Sequence, residues 1–85
     1  MSVASTEQWE ALAQSLIVPI VANPDAVKID VKQEAKGVSI RATVHPDDAG
    51  RVIGSRGTTL SAIAQLVEFA GKRAGTPASI TLADG

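Results

Sequence analysis

Cysteine is absent from this 85-residue chain, and histidine and aromatic residues nearly so: His45, Trp9 and Phe69 are each the only residue of their kind, and there is no tyrosine. Without cysteine there is no disulfide and no thiolate metal site. With one histidine, a zinc site would need several carboxylates around it, and the sequence shows no such cluster. Neither aromatic falls on an expected strand, which argues against recognition that stacks bases on strand aromatics. Charge of either sign is scarce too. Eight Lys and Arg against nine Asp and Glu leave a net charge of −1 and a pI of about 5.7. That balance lacks the basic stripe of a duplex-binding protein, so any nucleic-acid site must be local and depend on backbone donors. The longest strongly apolar run, Leu16 to Ala22, is far too short to span a bilayer. Met1 to Glu7 is polar with no basic n-region, so no signal peptide is expected and the expected location is the cytoplasm.

What is present is globular: 45% apolar and 20% charged residues in a length that makes one domain at most. The expected domain is 1–85, with a core over about 7–83. So small a chain buries little of its surface, and without covalent or metal staples oligomerisation is the remaining common route to stability.

Ser5 and Gln8 fit a capping box. Trp9, Leu12, Ala13, Leu16, Ile17 and Ile20 then recur at helical spacing, with Pro19 expected to kink the helix and Asn23-Pro24-Asp25 to end it. Val27, Ile29 and Val31 alternate with polar residues, as do Val38, Ile40, Ala42 and Val44. The two strands are joined by a turn over Glu34 to Gly37. Pro46, followed by Asp47 and Asp48, suits a helix start, with the acids complementing the helix dipole. That helix is expected to stop at Gly54. A longer one, capped by Thr58, runs to about Arg73, and Ala78 to Leu82 makes a third strand. The order α-β-β-α-α-β describes an α+β domain with helices on one face of a three-stranded sheet.

Gly54-Ser55-Arg56-Gly57 joins the two later helices. A GxxG turn on its own is a tight connection using glycine's freedom at unusual φ. In this place it ends at a helix N-terminus whose free N–H groups attract anions, and its glycines admit a sugar-phosphate backbone. Arg56 adds a cation and Ser55 a hydroxyl. Val52 and Ile53 before it, and Leu60 and Ile63 after, offer an apolar floor for bases. GxxG between two helices in this element order is the arrangement of KH recognition. The turn lacks the GK[ST] ending of a P-loop and follows a helix, so nucleotide hydrolysis is not expected. His45 reads as a strand-end residue with no nucleophile or positioned carboxylate identified near it, and no catalytic constellation emerges.

The segment from Val44 to Gly57, VHPDDAGRVIGSRG, resembles the KH signature in its bacterial type II form, and Ile17 to Asp25, IVPIVANPD, resembles the N-terminal helix region of the KhpA family of small stand-alone KH proteins. The resemblance covers about residues 7–83. It implies a type II KH fold with a mixed sheet, and a cytoplasmic single-stranded RNA-binding protein acting as a homodimer or as a heterodimer with a Jag-like (KhpB) partner. It further implies an RNA chaperone or post-transcriptional role linked to cell elongation and division. Carried onto this chain, the RNA contacts are Gly54, Ser55, Arg56 and Gly57, with Arg51, Val52, Ile53, Leu60 and Ile80 around them; no cofactor, metal or catalytic residue is implied. Members of the family usually carry Lys where this chain has Ser55, and the following helix holds cations only at its end, Lys72 and Arg73. Binding by one domain should therefore be modest, with a salt slope of about −1.4 to −2 for two or three phosphate contacts and avidity added by a second subunit.

A second apolar stripe, Ala62, Leu66 and Phe69 beside Arg73, lies opposite the core-facing side of the long helix. It either packs on the N-terminal helix or forms a subunit interface. With it comes a competing function, a protein-interaction adaptor that uses the fold mainly for dimerisation.

Overall fold

Alternating side chains decide the sheet. In the computed structural model, which describes residues 5–84, β1 (Lys28–Glu34) and β2 (Gly37–Val44) pair antiparallel with Ile29 opposite Ala42 and Val31 opposite Ile40. β3 (Ala78–Asp84) adds to β2 in parallel, Ile40 opposite Ile80, giving a mixed sheet of order β1-β2-β3. Val38, Ile40, Ala42 and Val44 are buried on one face, whereas Ser39, Arg41, Ser79 and Thr81 are exposed on the other. All helices therefore lie on a single face, as expected. The polar start of the chain, Met1 to Ala4, lies outside the described residues.

α1 (Thr6–Ile17) opens with the capping box in full: Gln8 N donates to Ser5 Oγ at 3.3 Å and Ser5 N to Gln8 Oε1 at 2.8 Å. Trp9, Ala13 and Ile17, four residues apart, form the buried stripe, and burying a side chain as large as that of Ile17 contributes roughly 1.5–3 kcal/mol. The indole N–H of Trp9 has no acceptor, so packing alone holds the ring. Pro19 does not kink this helix; it ends it. Having no N–H to offer the carbonyl of Ser15, it converts the chain to a short 3-10 turn, Val18–Ile20. A second such turn, Pro24–Ala26, leads into β1.

The parallel β2–β3 pair needs a long crossover, supplied by α2 (Pro46–Ile53) and α3 (Thr58–Ala74). His45 is more than a strand end: it is the N-cap of α2, its Nδ1 accepting from Asp47 N at 3.0 Å. The two acids after Pro46 also separate. Asp47 stays exposed in the first turn, while Asp48 is 1% exposed. The Asp48 carboxylate accepts three hydrogen bonds, from Ala22 N (3.0 Å), Asn23 N (2.9 Å) and Asn23 Nδ2 (3.1 Å). It thereby ties the chain that follows α1 to the start of α2. The Ala22 bond is the main cause holding its pKa below the ordinary carboxylate value; burial opposes it, and the two Asn23 bonds and the charge of Arg51 reinforce it. The site described next hangs from the far end of a helix that Asp48 anchors.

Candidate nucleic-acid interface

α2 presents Asp48, Ala49 and Val52 inward, and α3 presents Ile63, Val67 and Gly71. With both helices pinned to one core, the four residues between them must reverse the chain within a single 3-10 turn, Ser55–Gly57. The backbone shows how. Gly54 lies at φ 77°, ψ 178°, Arg56 at φ 56°, and Gly57 at φ 76°. Gly54 is in a region essentially closed to other residues. A Cβ there would stand 2.7 Å from Thr59 Cβ and 2.9 Å from Thr59 N. Arg56 is the one described non-glycine residue at positive φ, and that conformation costs an L-residue about 1–2 kcal/mol. Strain held at an exposed cation is the kind of feature that clusters at ligand clamps.

The hydrogen bonds sort the turn's amides into used and free. Gly54 N donates to Gly50 O (2.9 Å) and Gly57 N to Gly54 O (3.2 Å). Ser55 O accepts both from Thr58 N and from Thr58 Oγ1, the latter at 2.8 Å. Thr58 therefore braces the turn from inside α3, and Gly57, not Thr58, is the N-cap. The glycine amides are spent internally. The amides of Ser55 and Arg56 have no backbone partner among the described residues, and both residues are exposed. The anion-binding capacity of the turn lies in these two N–H groups, the Ser55 hydroxyl, the Arg56 guanidinium and the amides of Thr59 and Leu60 in the first turn of α3.

Around this centre the expected contacts divide. Arg51 is exposed in the last turn of α2 and Ile53 is 39% exposed, so both flank the turn at the surface. Leu60 is half-buried against the core. Val52 (0%) and Ile80 (8%) are core residues. Val52, expected in the apolar floor for bases, points inward from α2, and Ile80, expected among the RNA contacts, faces the helices from β3, so both lie beneath the surface. Ile63 is likewise core. The second stripe of α3 is uncovered. Leu66 is 50% and Phe69 58% exposed, Ala62 and Arg73 are exposed beside them, and the Arg73 guanidinium lies 5.9 Å from the Phe69 ring centroid. The alternative in which this stripe packs on α1 is overturned, because α1 spends its buried stripe on the core. No group of three or more acidic or histidine side chains among the described residues could hold a metal ion, and no helix among them is long and apolar enough to cross a membrane.

Residues 10–82 match the family model for the KhpA/KhpB KH domain. The chain belongs to this family. Among curated relatives it is 40% identical over 58 residues to the RNA-binding protein KhpA of Lactiplantibacillus plantarum, covering 68% of each chain. It is 42% identical over 60 residues to the RNA-binding protein KhpA of Mycobacterium tuberculosis (71% of this chain, 75% of the relative). It is 38% identical over 64 residues to that of Streptomyces coelicolor (75% and 81%). The matched KhpA/KhpB span contains the GxxG turn, both helices that frame it and nearly all of the sheet. Sequence reasoning named Asp48 and Thr58 but missed what they hold: Asp48 binds Ala22 and Asn23, and Thr58 binds Ser55 O within the turn. Their hydrogen-bonding residue types were visible, but only the fold shows what each one reaches.

Proposed function

We propose that this chain is a cytoplasmic single-stranded RNA-binding KH protein, working as a dimer in RNA chaperoning or post-transcriptional control linked to cell elongation and division. The observation that carries this reading is the pair of unspent amides at Ser55 and Arg56, held outward at the start of α3 in a family whose named relatives are RNA-binding proteins. A phosphate seated there accepts from both N–H groups, with Arg56 neutralising it and Arg51 beside the next one; Ile53 and Leu60 offer the nearby apolar surface for a base. The double variant Ser55→Asp/Arg56→Asp tests this. It puts two carboxylates where phosphate would sit, and it should weaken binding of a fluorescent single-stranded RNA at least about tenfold, each lost charge-assisted bond contributing roughly 1.5–3 kcal/mol. Unchanged anisotropy titrations, with the circular dichroism of a folded domain, would refute the proposal.

The uncovered stripe of α3 supports dimerisation, through a second copy or a Jag-like (KhpB) KH partner, and it also favours a second reading in which the protein acts chiefly as an interaction adaptor. Leu66→Glu should convert a dimer to a monomer in light scattering while keeping the circular dichroism of a folded domain, because the residue is half exposed within the monomer; the melting temperature should fall and lose its dependence on protein concentration. A dimer surviving the substitution places the interface elsewhere. Recovery of a partner protein with no RNA crosslinking would select the adaptor.

A further inference from the structure

We propose that the open face of the sheet is a second contact for the RNA backbone, separate from the turn and blind to sequence; this rests on the RNA-binding reading above. The outward positions of the strands form three rungs: Lys28 beside Thr43, Asp30 beside Arg41 and Thr81, and Lys32 beside Ser39 and Ser79. Three cations surround one carboxylate in a chain whose net charge is −1. At the hairpin end Glu34 and Lys36 offset each other. Among the described residues no Lys or Arg lies within 4 Å of a carboxylate, the one close acidic contact being His45 Nδ1 with Asp47 Oδ2, so Lys28, Lys32 and Arg41 make no ion pair.

Their spacing is regular. Lys28 and Lys32 lie four residues apart on β1, roughly 13 Å, and Arg41 sits opposite the midpoint, one strand spacing of roughly 4.8 Å away. The zigzag Lys28–Arg41–Lys32 can follow successive phosphodiesters of an extended strand. Asp30, Lys32, Ser39, Arg41 and Thr81, together with Val31 and Ile40, line a depression of about 460 Å³, and its hydroxyls can donate to phosphate oxygens.

The face also says what it is not. It has no aromatic side chain to stack a base, and its outward rungs carry no large apolar residue. What remains is attraction to a polyanion, with the sugar-phosphate backbone as its repeating charge. Alternating charge on β1 also guards a sheet edge, but Arg41 lies on the central strand, where no edge needs guarding.

The test compares a four-nucleotide RNA, about what a KH turn clamps, with one of roughly 16 nucleotides, using wild type and the Lys28→Gln/Lys32→Gln/Arg41→Gln variant. For the short RNA the two proteins should bind alike, with a slope of log K against log salt near −1.4 for two phosphates. For the long RNA the wild-type slope should steepen, and the triple variant should lose about 2 units of slope, three contacts' worth, and bind at least about tenfold more weakly at low salt. The variant changes only exposed side chains, and a matching thermal melt confirms its fold. Equal affinity and slope for the long RNA in both proteins would overturn the sheet-face contact while leaving the turn intact. Absence of wild-type binding to either RNA would mean that the RNA-binding reading itself had failed.

Discussion

Replacing Gly54 by alanine should unfold the turn and lower the melting temperature by more than about 10 °C. Two effects combine. The backbone at φ 77°, ψ 178° lies where a residue with a Cβ is held only at a cost of about 1–3 kcal/mol. The added carbon also lands inside contact distance of Thr59 Cβ and N, on the first turn of α3, which cannot retreat because Ile63 and Val67 anchor the same helix in the core. In a domain this small each kcal/mol shifts the midpoint by roughly 4–8 °C. Gly57 is a control within the same motif. Its φ is also positive, but a Cβ there meets nothing within 4 Å, so Gly57→Ala carries the backbone penalty alone and should melt above Gly54→Ala. Thermal unfolding followed by circular dichroism at 222 nm orders the two variants; the reverse order would mean that the packing of Gly54 against Thr59 is wrong.

The other large effect belongs to Asp48. Asp48→Asn at neutral pH keeps one acceptor oxygen and puts an NH2 in place of the other, where it faces either the Ala22 donor or the two Asn23 donors. Buried donors are then left unpaired, and the connection between the chain after α1 and the start of α2 is lost. The midpoint should fall by about 10 °C or more at pH 7. The same carboxylate gives a pH signature. Its folded-state pKa lies below the ordinary value of 3.8, so its contribution is complete above that value and is lost as pH falls through it and on through the folded-state pKa. Wild type should therefore lose stability between about pH 5 and pH 3, and the gap to Asp48→Asn should narrow over that interval. A gap of constant size from pH 7 to pH 3 would show that the ionised carboxylate is not what holds Ala22 and Asn23.

Much of this was readable from local pattern. The alternation Val38, Ile40, Ala42, Val44 is a full strand's worth of inward positions, and it appears in register with Ile29 and Ile80. Ser5 and Gln8 cap α1 as their spacing requires, and the boundaries of α2 follow from Pro46 and Gly54. What pattern could not supply was tertiary. Pro19 ends a helix that, by spacing alone, ran on to Ile20. Asp48 looks like Asp47 in the chain, yet one is buried and the other solvated, because only Asp48 lies under the returning backbone of Ala22 and Asn23. The site shows the same division. GxxG was visible as a motif, but which amides remain free depends on Gly50 O and Gly54 O as acceptors, and of the four residues only Ser55 and Arg56 keep a free amide. Val52, Ile53 and Ile80 are all apolar residues beside or beyond the turn; burial separates the exposed Ile53 from the other two.

The central claim is that an RNA phosphate is held by the free amides between Gly54 and Gly57. An NMR titration of the 15N-labelled protein with a short single-stranded RNA reads those amides directly. The largest shifts should fall on Ser55 and Arg56, with smaller ones on Thr59 and Leu60 and little change at Leu66 or Phe69. Saturating shifts that leave Ser55 and Arg56 unmoved would contradict the account.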